Sequence, residues 1–254
     1  MAQPANTLAL VAMGGFRHLR QCTPMQSYTY QVIHGHIIVM VEGDPCLLDT
    51  GSPFSVGYAP ISIAGREFAV HDNYMDVCPA YLAEHIGTAV EGLIGTDILT
   101  NFTICIRPPE QLIEFSGHSP EGEILLPLQS FMNVPILPIK VNGQIVRAFF
   151  DTGAPLSYLL PEQLAGLDPY ARQEDFYPLP GNFLTDVYFL AVCIGGEERE
   201  FRFGELPVEL QMMLEAEQVQ AIIGTELLNH FGLCFSMSDR VMRLDSVGRL
   251  AAAY

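Results

Sequence analysis

Short apolar runs rich in Val, Ile, Leu and aromatic residues follow one another along this chain, cut at close intervals by Gly, Asn and Pro. In "YTYQVIHGHIIVMVEGDPCLLD" (28–49) the breaks fall at His34-Gly35 and at Glu42-Gly43-Asp44, which predicts three short strands joined by tight turns. "VPILPIKVNGQIVRAFFD" (134–151) repeats the pattern around Asn142-Gly143, a dipeptide suited to two-residue hairpins. "ISIAGREFAV" (61–70) and "VCIGGEEREFRF" (192–203) each read as strand, glycine turn and strand. "TDILTNF" (96–102) and "TELLNHF" (225–231) read as short helices, with Thr96 or Thr225 as N-cap and Asp97 or Glu226 in the first turn. A final strand pair follows each, "TICIRP" with "QLIEF" and "LCFSM" with "VMRLD". The prediction is a mainly β chain.

The elements come in two sets. "LLDTGSPFS" (47–55) returns 102 residues later as "FFDTGAPLS" (149–157), and "GLIGTDILTNFTICI" (92–106) returns as "AIIGTELLNHFGLCF" (221–235). Cys105 and Cys234 occupy equivalent positions of the second pair. One Asp-Thr-Gly arises by chance in roughly one chain of this size in twenty. Two in apolar context, each followed by the same second motif, do not. The turn-rich "SGHSPEGE" (116–123) marks the junction. The expected organisation is an N-terminal segment (1–30), a first lobe (31–118), a linker (119–130) and a second lobe (131–254).

On these two motifs, Asp-Thr-Gly-Ser/Ala after two apolar residues and a later apolar-apolar-Gly before a short helix, the chain resembles aspartic peptidases of the pepsin and retropepsin superfamily over roughly residues 30–245. Its short halves are more similar to retropepsin protomers than to pepsin lobes, as if two protomers were fused. The resemblance implies a two-lobed, pseudo-twofold acid-protease fold with a dyad of Asp49 and Asp151 holding the attacking water. It implies loop support from Thr50, Gly51, Ser52, Thr152, Gly153 and Ala154, with the threonines bonding across to the opposite loop. The chemistry fits: two carboxylates a few ångströms apart cannot both ionise, so they share one proton and present a base and an acid together. A structural aspartate capping a turn is the bland reading of either site alone. The duplicated context argues against it. Asp97 and Glu226 form a second related acidic pair, which a helix first turn explains.

Two differences between the halves matter. A hydroxyl at Ser52 can donate to its carboxylate, whereas Ala154 cannot, so Asp49 is expected to be the ionised partner. The interval from Asp151 to Gly224 is also much longer than that from Asp49 to Gly95. The surplus holds "EDFYPLPGNFLTDVYFL" (174–190), two β-rich arms around a Pro-Gly turn, as expected of a flap hairpin. A single flap on the second lobe is therefore expected, with Tyr177, Leu179 and Gly181 as candidate cleft residues. Phe54 and Leu156 suggest apolar side chains beside the scissile bond.

Twelve Lys and Arg against 29 Asp and Glu give a formal charge of −17, which repels phosphates and anionic lipid and argues against nucleic-acid or membrane partners. The histidines and cysteines lack metal-ligand spacing, so neither metal nor cofactor is expected. The six cysteines lie mostly among apolar neighbours and read as reduced core residues. No basic residue precedes Arg17. That pattern lacks a secretory leader and gives a cytoplasmic expectation. The functional expectation is an aspartic endopeptidase acting as a monomer on extended peptide or protein substrates. The alternatives are a catalytically silent peptide-binding or regulatory module, or a self-processing peptidase in which residues 1–30 block the cleft or form inter-lobe strands.

Overall fold

The structure is a computed structural model that describes residues 24–177 and 181–247. The first half runs β1 (Gln26–Ile33), β2 (His36–Val41), β3 (Asp44–Leu48), β4 (Val56–Gly57), β5 (Ile61–Ile63), β6 (Arg66–Phe68), α1 (Pro79–Ile86), β7 (Gly92–Ile94), α2 (Thr96–Leu99), β8 (Thr103–Arg107) and β9 (Leu112–Ser116). The second runs β10 (Ile124–Pro127), β11 (Gln129–Phe131), β12 (Val134–Val141), β13 (Gln144–Phe150), β14 (Ser157–Leu159), α3 (Pro161–Leu164), β15 (Ala171–Tyr177), β16 (Gly181–Ile194), β17 (Glu197–Glu205), α4 (Val208–Ala216), β18 (Ala221–Ile223), a 3₁₀ turn (Thr225–Asn229), β19 (Phe231–Ser236) and β20 (Val241–Ser246). The fold is mainly β and two-lobed, with one short helical turn after each second motif.

Corresponding strands pair alike in both halves. The strand leading into each Asp-Thr-Gly loop runs parallel to the strand that ends at the second motif, β3 with β7 and β13 with β18. β4 and β14 then return antiparallel to those same strands. Each loop is thereby set beside the glycine of the later motif. Both hairpins predicted from turn dipeptides form with positive φ at the two central residues, 49° and 84° at His34-Gly35 and 48° and 83° at Asn142-Gly143. That is the turn geometry whose twist suits a hairpin.

The lobes are joined by an antiparallel sheet in the order β10-β20-β19-β8-β9-β1. Its order is symmetric about the β19–β8 junction, where Cys234 lies opposite Cys105. The two cysteines are equivalent in the repeat, so their pairing places the pseudo-twofold axis there. The first four residues of β1 pair with β9. The last part of the segment read as 1–30 is therefore an inter-lobe strand; residues 1–23, where a blocking segment was considered, lie outside the described residues. The stretch read as linker is largely strand instead. β10 pairs with β20, burying Leu126 and leaving Leu125 exposed, while Leu128 is buried beyond it. That alternation is a half-buried strand pattern.

The largest apolar cluster runs through the inter-lobe sheet, from Ile37 and Val39 to Phe231 and Phe235. Smaller clusters fill each lobe behind its loop. The strand reading missed α1 and α4, which precede the two second motifs. Pro79 opens α1, Gly87 closes it at φ 74°, and Leu82 and Ile86 face the core. Among the described residues, no helix is long and apolar enough to cross a membrane.

The reading of all cysteines as reduced is corrected: Cys105 and Cys234 form a disulfide. Cys46, Cys78 and Cys193 are free thiols, and Cys22 lies outside the described residues. Equivalent residues on a twofold axis are the pairs that meet themselves, which is why these two cysteines touch. The bond closes a loop spanning 129 positions. Closing a loop of this size limits the unfolded chain by about 5 kcal/mol in the entropic model, and measured effects are typically about 2–4. Replacing both Cys105 and Cys234 with Ser should lower the free energy of unfolding by about 2–4 kcal/mol in urea titrations. An unchanged midpoint in that variant would mean that the bond does not form in solution.

Candidate active site

The two Asp-Thr-Gly loops meet across the pseudo-twofold and are tied by four reciprocal hydrogen bonds. The Thr50 hydroxyl donates to the Phe150 carbonyl at 2.7 Å and accepts from the Thr152 N–H at 2.9 Å. The Thr152 hydroxyl donates to the Leu48 carbonyl at 2.8 Å and accepts from the Thr50 N–H at 3.0 Å. Both threonines are fully buried. The inward, cross-loop placement implied by the resemblance is therefore the one observed. Each hydroxyl uses both its donor and its acceptor capacity on the other lobe's backbone.

The same crossing brings the carboxylates together. A Cβ on Gly51 would lie 2.3 Å from Asp151 Cγ, and one on Gly153 would lie 2.7 Å from Asp49 Cγ. Each loop needs its glycine because the opposite carboxylate occupies the space a side chain would take. Asp49 and Asp151 are near enough that each acts on the other's ionisation. The N–H groups of Gly51 and Ser52 donate to Asp49 Oδ1 at 2.8 and 2.9 Å. The Gly153 N–H donates to Asp151 Oδ1 at 2.8 Å.

Their protonation is asymmetric, in the opposite sense to that expected from the sequence. Burial, and then the neighbouring Asp151 charge, hold Asp49 well above the usual carboxylate range. Burial also raises Asp151, but the Tyr177 hydroxyl, the backbone N–H groups and Asp49 all favour its charged form. Asp49 is thus the partner that keeps the proton. The Ser52 argument fails because its hydroxyl turns away, donating to the Phe54 carbonyl at 2.7 Å. Ala154 packs in the core of the second lobe, 2% exposed. The deciding hydroxyl comes from the flap: Tyr177 donates to Asp151 Oδ2.

The second motif also acts on the loops. A Cβ on Gly95 would meet the Phe54 carbonyl carbon and oxygen at 2.7 Å, and one on Gly224 would meet the Ala154 oxygen at 2.4 Å. Bare backbone is required where the loop exit is this close. The N–H groups of the two glycines donate to Ser55 Oγ at 2.9 Å and Ser157 Oγ at 3.1 Å. These serines are identical in the two repeats, yet the sequence reading gave them no role. Thr96 and Thr225 are not N-caps. Gly95 and Gly224 hold those positions, and the hydroxyls bond the Ser52 carbonyl (3.1 Å) and the Gly35 carbonyl (2.7 Å). Asp97 accepts from the N–H and hydroxyl of Ser55 at 3.1 and 2.6 Å, and Glu226 accepts from Arg202.

A long hairpin, β15 with β16, occupies the stretch read as the flap. β15 and β16 pair from Ala171↔Val187 to Tyr177↔Gly181, and φ at Gly181 is 73°. Leu179 lies outside the described residues. In the first lobe α1 stands opposite instead: Phe176 of β15 stacks on His85 and Tyr81, with ring centroids 4.2 and 5.6 Å apart. Two further features were missed by the sequence reading. His36 lies near the Gly153 backbone of the other lobe, with its Nδ1 buried and unpartnered among the described residues, and burial pushes its pKa down to about 4. Leu156, expected beside the substrate, is 1% exposed in the core of the second lobe. Phe54 is half-buried against His71 and Tyr74.

The chain matches no protein-family model, and no curated protein is similar to it in sequence. Among solved structures it is similar to a retropepsin-like aspartic protease from Rickettsia conorii, 21% identical over 50% of this chain and 94% of that one, with a TM-score of 0.36. It is also similar to the simian foamy virus (mac) protease, 18% identical over 36% of this chain and 88% of that one, with a TM-score of 0.28. A third, a foamy viral protease-reverse transcriptase solved with an RNA/DNA hybrid, is 20% identical over 37% of this chain and 11% of that one, with a TM-score of 0.30.

Thr50→Val should cost about 2–4 kcal/mol in urea unfolding, since it leaves the Phe150 carbonyl and the Thr152 N–H buried without partners. A loss below about 0.5 kcal/mol would mean that the grip contributes little. Asp49→Asn tests the proton assignment, because the amide can still accept from Gly51 and Ser52 and donate to Asp151. Both carboxyls are raised above their unfolded value. Their contribution to stability is therefore complete at low pH and is lost as pH rises through the folded value. The variant should melt above the native protein at neutral pH and lose that advantage on acidification.

Proposed function

We propose that the protein is an aspartic endopeptidase that hydrolyses extended peptides with the Asp49–Asp151 pair and one activated water. The observation that carries the reading is the crossing of the two Asp-Thr-Gly loops, which sets each desolvated carboxylate against the glycine of the opposite loop, beneath a hairpin. Charged Asp151 takes a proton from water as its oxygen attacks the peptide carbonyl carbon. Protonated Asp49 gives its proton to the carbonyl oxygen. The tetrahedral diol collapses as Asp151 passes the acquired proton to the leaving nitrogen, and Asp49 recovers its proton from the diol. General acid and base are thus present in one proton count.

The substrate would lie as a strand between α1 and the flap, gaining affinity from main-chain hydrogen bonds and preference from alternate side chains. Phe54, Tyr74 and Phe176 favour apolar or aromatic side chains near the scissile bond. With both aspartates in one chain, a monomer suffices. One observation favours the second reading, a silent peptide-binding module: the Tyr177 hydroxyl already occupies an oxygen of Asp151.

Peptide-library digestion across acidic to neutral pH, with and without pepstatin, tests the proposal. Asp49→Asn and Asp151→Asn should each lower cleavage by about 10²–10⁴-fold, with the fold retained. Undiminished cleavage in either variant would rule out the dyad. Pepstatin-insensitive inertness of the native chain, with saturable peptide binding, would select the binding module.

A further inference from the structure

The flap strand is tied to the lobe beneath it by two hydrogen bonds of the same chemistry running in opposite directions. The flap residue Tyr177 donates to Asp151 on the floor, and the floor residue Tyr158 donates to Asp175 on the flap. Asp175 and Tyr177 are two residues apart on β15 and so share one face, while Phe176 between them faces the other way. That opposite face stacks on His85 and Tyr81 of α1, in the other lobe. One strand is thereby fixed at three consecutive residues, to both lobes.

The Tyr158 end is built to hold. Its ring is 1% exposed and lies beside Gly204 of β17, its register partner, where a Cβ would fall 2.6 Å from the ring. The missing side chain at Gly204 makes room for the phenol and fixes its direction. At the receiving end, Asp175 Oδ1 accepts from the Phe176 N–H at 2.8 Å, leaving Oδ2 for Tyr158. A half-buried carboxylate is costly unless it has such partners. Neither Tyr158 nor Asp175 has a part in the chemistry proposed above.

We propose that Tyr158 and Asp175 are positioning residues: their hydrogen bond clasps the flap to the floor so that the Tyr177 hydroxyl rests on Asp151, and a peptide reaches the dyad only after the clasp releases. The flap is then a built-in competitor for the oxygen that the water and the substrate need. Apparent affinity for any cleft ligand is reduced by the fraction of molecules in which the clasp is open. This inference rests on the peptidase reading for its consequence, but not for its measurement.

The chain contains no tryptophan. Phe176→Trp therefore installs a single indole against His85 and Tyr81 that reports flap position without any catalysis. In that background, Tyr158→Phe and Asp175→Asn should each expose the indole, raising its quenching by acrylamide and shifting its emission to the red. Without the reporter, both substitutions should accelerate pepstatin association and lower KM by about tenfold, with no matching rise in kcat. Lower thermal stability with unchanged quenching and unchanged pepstatin association would reduce the pair to a structural role and overturn the clasp. Should Tyr158→Phe fail to fold, Asp175→Asn gives the same readouts. Greater indole exposure in variants that neither bind pepstatin nor cleave peptides would uphold the clasp while refuting the peptidase reading.

Discussion

Two carboxylates held in contact away from water constrain everything around them. Such a pair repels itself when both members ionise and loses hydration in either state, so it persists only where the surrounding backbone over-determines its position. The loops meet that demand with the parts that are identical in the two repeats. Gly51 and Gly153 leave room for the opposite carboxyl, and Thr50 and Thr152 lock each loop to the other lobe's chain. Gly95 and Gly224 close the loops from behind. Neither lobe can satisfy these groups alone, because every hydroxyl of the grip finds its partners across the interface. The inter-lobe sheet and its cystine then read as the frame that keeps two half-sites at one spacing.

Upon this symmetric frame the protein builds an asymmetric site. One lobe contributes a long hairpin and the other a helix, and the two meet through Phe176 stacked on His85. The Gly35 turn reaches only one way: its carbonyl accepts from Thr225, and Pro155 lies against its Cα. His36 follows it onto Gly153. The loop of the second lobe is therefore braced by the first lobe as well as covered by its own flap. The unequal protonation of the two aspartates follows from these unequal surroundings, not from the Ser52 and Ala154 difference inside the loops.

The parts of the fold written in local patterns were legible in the sequence. Tight-turn dipeptides, alternating strands and the doubled motifs pointed to the strand pairs, the two lobes, the two aspartates that the loops bring together and the long hairpin of the second lobe. What could not be read depended on distance in the chain. The Ser52 hydroxyl had two acceptors within reach, and only the bend of the loop decides for Phe54 over Asp49. The strand at 124–127 is a short apolar run directly after a polar, turn-rich stretch, and its pairing with β20 is what makes it a strand. Helices α1 and α4 were hidden because a β reading assigns short apolar runs to strands, and period alone separates the two poorly at this length. The cystine was nearly visible: equivalent cysteines in a repeat become neighbours when they lie on the axis, but the axis itself appears only in the folded sheet.

The hydrogen bond between Tyr177 and Asp151 links the flap to the proton. A donor on Asp151 favours its charged form. By reciprocity, a charged Asp151 favours the flap position that supplies the donor. The groups facing that carboxyl are Asp49, Tyr177 and, farther off, Tyr158. Burial raises both phenols above their ordinary values, so they stay neutral wherever Asp151 titrates and the exchange concerns the dyad alone. On the clasp proposal, lifting the hairpin would remove the Tyr177 donor from Asp151, and its affinity for a proton would move toward that of Asp49. An open cleft is then a more symmetric one, in which the shared proton is less bound to either side. In the proposed reaction the closed hairpin fixes which aspartate would serve as acid and which as base, and its release would loosen that assignment until a substrate carbonyl and a water restored it.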